Sequence, residues 1–550
     1  MLLLTVAANA QEIRGTVTDE DGLPVPSANV TVKSSGISTI TDFDGNFVIA
    51  AMPGDQLTIT MVSFQDQVVT ASDNMVVIMK NEQLEEVVVI GYGTRKKGSI
   101  TGSVTQIKAE EIVKTPAQSA IQSIQGKAAG VNIVTNDEPG SNPSIRIRGL
   151  GTIIGGRDPL YVIDGVESTS LNGLSPNEIA TMDILKDASS LAIYGQKGRN
   201  GVVIVTTKKG RPGVVKVNYD AFYGQRYVQK KVDMADSYRF AYYNNTAQGS
   251  ATYFNFDQPY NTDWFDEITT TGEMMSNYIS LSGANDNASY YLGVTNYKES
   301  GILRGTEFER TNVNTRNEFK VFEGKLKLTQ SLNMAIANAT PKPSSAFTNA
   351  YKQSPIVPVR FDNGRWGVPL RNPDTGLIDI NGSDKFNNVG NPVAQLANTH
   401  AKNKNFVVMG SIMAEVALTS DLKYTSNFGA TYGSNKGYNF VDDAENYLTQ
   451  NATRTIDDYI DSFGDNPVVY NTLSQYKNDD YVWNWDNFIT YSKSLGQHDV
   501  SVTAGMSRST INNGESLSGT RRNVPEKTNY WYLNQSTFND PTAPGAVVQN

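Results

Sequence analysis

Side chains able to make or break bonds are few and scattered in this sequence. The 550-residue chain has no cysteine and two histidines, His400 and His498. That excludes disulfides and thiolate sites and leaves too few imidazoles for a histidine-based metal centre. Two acidic turns, Asp19-Glu20-Asp21-Gly22 and Asp42-Phe43-Asp44-Gly45, lack the further carboxylates that a calcium loop places at set offsets. Turn formation accounts for them. Asp164-Gly165 is likewise a turn pair, with no second carboxylate or base beside it. The glycines Gly149, Gly151, Gly155 and Gly156 do not join a strand to a helix as phosphate-cradling loops do. No nucleophile, base and orienting group occur as a set, so the chain is expected to be no enzyme, with no catalytic residue, metal or cofactor. With 47 Lys+Arg against 56 Asp+Glu, a formal charge of −9, nucleic acid is not an expected partner.

What remains is the chemistry of recognition. Glu85-Glu86-Val87-Val88-Val89-Ile90-Gly91-Tyr92-Gly93 sets two carboxylates before four β-prone residues and a glycine-flanked tyrosine. Such a segment favours extension. It can add as a strand to a partner's sheet edge, or serve as an edge strand of the domain before it; periodicity does not separate the two. Arg146 and Arg148 alternate with Ile145 and Ile147, which puts both guanidiniums on one strand face, able to fork onto facing carboxylates. Trp264, Phe265 and Trp366 stand among Asn and Asp in long connecting segments. Aromatic faces with neighbouring amides and carboxylates suit an oligosaccharide or a peptide.

The elements that position these residues fall into blocks. Residues 1–10 end in Ala8-Asn9-Ala10 after a short apolar run and read as the remnant of a secretory signal. Residues 11–81 hold short strands separated by Asp-Gly, Ser-Gly and Pro-Gly turns, a small β-sandwich. Residues 82–93 form a linker and 94–212 a small α+β domain, with helical composition at 109–114 and 117–128. From 213 to 550 the pattern becomes long alternating strands: Leu326, Leu328, Leu332, Met334 and Ile336 oppose Lys325, Lys327, Thr329, Ser331 and Asn333. No run of 18 apolar residues is present, so no transmembrane helix is available, whereas a membrane β-barrel remains open. About nine strands are expected, near 214–227, 274–283, 288–299, 309–322, 324–337, 405–419, 421–433, 481–495 and 497–509. Short and long connections alternate between them, as in outer-membrane barrels with tight periplasmic turns and long outer loops.

The segment Glu85 to Gly93 resembles the TonB box of SusC/RagA-type TonB-dependent outer-membrane transporters. Ile145-Arg146-Ile147-Arg148-Gly149, Pro159 to Val166, Asp187 to Gly195 and Gly198 to Gly210 follow in that family's order. Gly15 to Pro26 and Thr41 to Phe47 resemble a carboxypeptidase-regulatory-like domain. The resemblance implies a mostly β protein: regulatory-like sandwich, TonB box, plug domain, and the first part of an antiparallel transmembrane barrel. It implies TonB contact through Glu85, Glu86, Val87, Val88, Val89, Ile90, Gly91 and Tyr92, and plug anchoring by Arg146 and Arg148. The implied activity is import of a large nutrient across the bacterial outer membrane, energised by the inner-membrane proton gradient through TonB with ExbB and ExbD. The N-terminal domains are then periplasmic, the barrel lies in outer-membrane lipid, and a SusD-like surface lipoprotein is the implied partner. At about 33 residues per strand, a 22-stranded barrel needs on the order of 730 residues beyond the plug, so the chain is expected to carry only an N-terminal portion of it. A secreted or surface carbohydrate-binding adhesin without transport and a TonB-linked signalling receptor are the alternatives.

Overall fold

The computed structural model describes residues 12–525 apart from 21, 62–63, 81–86, 91–92, 97–103, 116, 137, 150–156, 188–190, 451–454, 497 and 511–512. The signal remnant, the C-terminal residues 526–550, and Glu85, Glu86, Gly91 and Tyr92 of the TonB box lie outside the described residues. The chain divides into two units, 1–101 and 102–550.

The first unit is a sandwich. One sheet runs Asn46–Ala50, Glu12–Thr18, Met75–Ile78, and the other Ser38–Ile40, Asn29–Val32, Gln56–Thr60, Gln67–Thr70. Alternation decides which side chains meet: Ile13, Val17, Val30, Val32, Phe47, Ile49, Leu57 and Ile59 are buried together. Gly15 interrupts the buried face of its strand because a Cβ there would come within 2.7 Å of Met75 and Phe47. Val87–Ile90 pairs antiparallel with Gly93–Lys96, so Val87, Val88 and Val89 are extended, as their β-branching favours.

The second unit begins with the plug. Its sheet has the order Val104–Lys108, Ile179–Leu185, Val202–Thr207, Leu160–Ile163, Val166–Ser168, beside a separate hairpin of Val131–Val134 with Ser144–Ile147. Ala109–Val113 is helical as expected. The helix expected over 117–128 is absent: only Gln122–Ile124 forms a 3-10 turn. Helix-favouring composition there yields to tertiary packing, which buries Ala120, Ile121, Ile124 and Ala128 in the plug core.

A long antiparallel sheet follows, its strands in chain order as neighbours: Gly213–Arg226, Gly272–Ala284, Ala288–Ser300, Glu307–Val321, Leu326–Thr340, Thr399–Ala417, Leu422–Asp442 and Asn471–Leu495. The ninth position is shared, His498–Ser509 pairing with one half of the eighth strand and Asn513–Arg522 with the other. These are the expected strands, extended by several residues at the end with long connections. The sheet does not close. One face lies against the plug, and the opposite face exposes Ile336, Ile412, Phe428, Tyr432, Tyr481, Trp485, Ile489 and Tyr491. Cross-strand register stacks these rows, as Gln330–Ile412–Phe428–Trp485 shows.

At the long-connection end, residues 227–271 and 341–398 fold into a cap. Its helices are Ser237–Gln248, N-capped by Asp236, then Trp264–Ile268, Ser345–Lys352 and Pro392–Ala397, the last started by Asn391 and a first-turn proline.

Candidate functional site

The plug meets the wall along a polar seam. Leu160–Ile163 turns into Val166–Ser168 through Asp164 (φ 47°) and Gly165 (φ 83°), a two-residue turn with both φ values positive. The tip of this hairpin sits in a notch of the wall. Asn427 and Asn484 each donate an Nδ2 hydrogen to the Gly165 carbonyl at 3.2 Å. A Cβ on wall residue Gly429 would come within 2.8 Å of Val166 and 3.0 Å of Asn484, so glycine creates the notch.

Asp164 does more than turn the chain. It accepts from the Thr207 backbone N–H at 3.0 Å and from the Thr207 hydroxyl at 2.6 Å, and it forms an ion pair with Arg316 of the fourth wall strand. Both partners of that pair are almost inaccessible, with side-chain exposures of 12% for Arg316 and 6% for Asp164. On the same strand, Arg310 donates to the carbonyls of Gln118 (2.8 Å) and Asn172 (3.3 Å), and Asn312 to that of Gly173 (2.6 Å). Lys197 joins Glu167 at 2.6 Å and reaches Ser509 of the wall at 2.8 Å.

Apolar contact across the seam is slight. The plug's core cluster of Ile107, Ile112, Ile145, Ile163, Leu174, Ile184 and Val205 takes in one wall residue, Met409. Glu178 is a fully buried acid of the plug, in a capping box with Ser175. Burial pushes its carboxyl up to about 8, against the opposing pull of the Ser175 N–H, Arg310, Lys208 and Thr295.

Strands five to eight are less tightly filled against the plug. A cavity of about 390 Å³ lies between Leu160, Leu174 and Lys197 of the plug and Val407, Met409 and Asp480 of the wall. A second, of about 260 Å³, is lined by Gln118 and Asn172 of the plug and by Asn403, Asn405 and Asn435. The arrangement is a polar stopper held by hydrogen bonds to strands four, seven, eight and nine, with open volume left between those contacts.

The residues singled out from sequence fall in different places. Arg148 lies past the end of strand Ser144–Ile147, at φ 57°, and pairs with Asp187 inside the plug. Arg146 is half-buried, and among the described residues no wall carboxylate pairs with either arginine. The left-handed φ at Arg148 breaks the alternation expected of the pair, and the ion pairs described at the seam are others: Arg316 of the wall with Asp164 of the plug, and Lys209 of the plug with Glu318 of the wall at 3.8 Å. Trp264 and Phe265 are 3% and 5% exposed, inside the cap core with Ile268, Leu303, Val357 and Leu396. The Trp264 indole N–H donates to the Ser354 carbonyl at 2.8 Å. Trp366 carries the Arg360 guanidinium 3.4 Å from its ring centroid. The faces expected to meet substrate are thus taken up by packing within the cap. Sequence reasoning passed over Arg310, Asn312, Asn314 and Arg316, although four polar residues at period two in one strand are a signal of a face turned to a polar neighbour.

Comparison with known proteins agrees with this geometry. Residues 96–202 match the TonB-dependent Receptor Plug Domain family and residues 13–89 the CarboxypepD_reg-like domain. TonB-dependent receptor SusC of Bacteroides thetaiotaomicron is 33% identical over 92% of this chain and 51% of its own length. TonB-dependent receptor P3 of Formosa agariphila is 31% identical over 96% of this chain and 51% of its own. The chain spans about half the length of the curated relatives it matches. Among solved structures, the RagAB peptide importer in its open-open state superposes with a TM-score of 0.65 at 20% identity, over 84% of this chain and 52% of that one, which shows the shared fold. A plug seated against a wall of long strands with an apolar outer face defines an outer-membrane β-barrel receptor of the TonB-dependent class. Within that class the matches support the SusC/RagA type, over the half of the relatives' length that the chain spans.

Proposed function

We propose that this receptor serves TonB-dependent active import of a large nutrient, an oligosaccharide or a peptide, across the bacterial outer membrane. The observation that carries the reading is the character of the seam. The plug is held to the wall by hydrogen bonds and ion pairs around Arg310, Asn312, Arg316, Asn427 and Asn484, with little apolar contact. Polar contacts of this kind can be exchanged for water, so a moderate pull can shift the plug without unfolding the wall. Substrate held at the long-connection side frees the segment Glu85 to Tyr92. TonB then pairs with it by strand addition and, with ExbB and ExbD, transmits force drawn from the proton gradient. A SusD-like lipoprotein acts as lid over the cap. Arg146 and Arg148 help to anchor the plug, Arg148 through its ion pair with Asp187, and the aromatic cap residues Trp264, Phe265 and Trp366 shape the surface that substrate meets. No bond of the substrate changes, so the process needs no catalytic group. A secreted adhesin has no use for the apolar outward band at Ile412, Phe428 and Trp485. Deletion of Glu85 to Tyr92 is expected to abolish uptake of labelled oligosaccharide or peptide by whole cells while leaving its surface binding intact. Uptake at the normal rate in the deletion strain overturns the proposal.

A further inference from the structure

Three lysines stand directly opposite one another on the outward face of the wall. Lys404 of the sixth strand is in register with Lys436 of the seventh, and Lys436 with Lys477 of the eighth. Adjacent strands are about 4.8 Å apart. Their neighbours Asn403, Asn405 and Asn435 line a cavity with plug residues Gln118 and Asn172, so the lysines between them leave by the opposite, lipid-side face. Lys402, one outward position further along, belongs to the same group, and all four are exposed.

Like charges directly opposed across strands destabilise a sheet unless something offsets them. Asp479 offsets one, accepting from Lys477 at 2.5 Å. Among the described residues no carboxylate pairs with Lys402, Lys404 or Lys436. The height of the cluster decides what can reach it. On the fifth strand the outward run goes from Leu326 to Ile336, ten residue steps, apolar at every outward position but Gln330. At about 3.4 Å per residue and a tilt of about 40°, that run rises about 26 Å, close to the apolar band of a membrane barrel. The next outward residue, Asn338, is in register with Lys404. The lysines therefore begin where the hydrocarbon ends, at the level of the outer headgroups, on the side with the long connections.

We propose that Lys402, Lys404, Lys436 and Lys477 form a binding site for the phosphate groups of an outer-leaflet glycolipid. A multiply charged phosphate headgroup offsets several point charges at once, which isolated chloride or water cannot, and its acyl chains lie along Phe406, Val408 and Tyr432 just below. The site rests on the membrane placement of the wall and is independent of import.

The test is native mass spectrometry of the receptor purified from outer membranes and placed in phosphatidylcholine nanodiscs. One arm contains a bis-phosphorylated glycolipid, one the same glycolipid dephosphorylated, and one the phosphorylated glycolipid with excess inorganic phosphate. The wild-type receptor is expected to retain the phosphorylated glycolipid in preference to the dephosphorylated one and to keep it against inorganic phosphate. The double variant Lys404→Gln/Lys436→Gln is expected to retain on the order of ten-fold less, and Lys404→Arg/Lys436→Arg to restore retention. Equal retention by the glutamine variant, equal retention of the dephosphorylated glycolipid, or displacement by inorganic phosphate overturns the site. A receptor that fails to enter the nanodisc overturns the membrane placement instead, and uptake assays on the same variants report on import separately.

Discussion

The cap and the plug seam join distant parts of the chain by opposite means. In the cap, segments 227–271 and 341–398 are fused through a hydrophobic core in which Trp264, Phe265, Ile268, Val357, Phe361 and Leu396 are buried together. At the seam, the plug touches the wall mainly through amides, guanidiniums and carboxylates, and among the described residues Met409 alone crosses into the plug's apolar core. Apolar burial is non-directional and has no replacement in water, so the cap holds one arrangement. Hydrogen bonds and ion pairs lost at the seam are largely replaced by hydration, so the seam costs less to open than the cap's core. The plug is thus seated by polarity and shape, and the cap by apolar burial.

The contrast can be broken most severely at Trp264. Trp264→Ala is expected to cost about 3–5 kcal/mol of cap stability, together with the hydrogen bond to Ser354, read as rapid cleavage of the cap in limited proteolysis with the wall intact. Arg316→Ala leaves Asp164 buried without its cation, an expected loss of about 3 kcal/mol or somewhat more from plug docking. Hydrogen exchange then rises in Leu160–Ser168 while the cap stays protected. Gly429→Ala, by crowding Val166 and Asn484, is expected to lift the hairpin tip at a cost of about 1–3 kcal/mol, seen as a broadened distance between spin labels on plug and wall.

The gentlest test uses Glu178. Its carboxyl is raised from 4.5 to about 8 by burial. The folded protein therefore binds the proton more tightly than the unfolded chain does. Glu178's contribution is fully present below about pH 4.5, declines as pH rises toward about 8, and is flat above. The slope is at most about 1.4 kcal/mol per pH unit, and Glu178→Gln is expected to remove it in calorimetric melts of the plug transition, leaving the cap transition unchanged.

Much of this architecture was legible beforehand, for reasons that differ by region. The wall strands could be placed because two-residue alternation persists over long runs, as from Leu326 to Ile336, and because tight turns such as Glu323-Gly324 and Ser420-Asp421 mark their ends. Asp164-Gly165 was recognisable as a turn from residue type alone. The helix expected over 117–128 failed because composition there answers to plug packing, not to its own propensity. The aromatic residues Trp264, Phe265 and Trp366 looked like a substrate surface because aromatic content in a long loop is equally consistent with a private core.

The seam was the least legible. Arg146 and Arg148 drew attention by their spacing, yet Arg148 turned inward to Asp187, while the arginine that closes on Asp164 lies 152 residues away in sequence. The sequence by itself determined the local facts: which segments extend, which residues turn, which faces are apolar, and in what order the parts appear. Only the tertiary structure decided the partners of Asp164, Gly165 and Glu178, because charge and hydrogen-bond pairing depends on separation in space, and that separation exists only once the wall has curved around the plug.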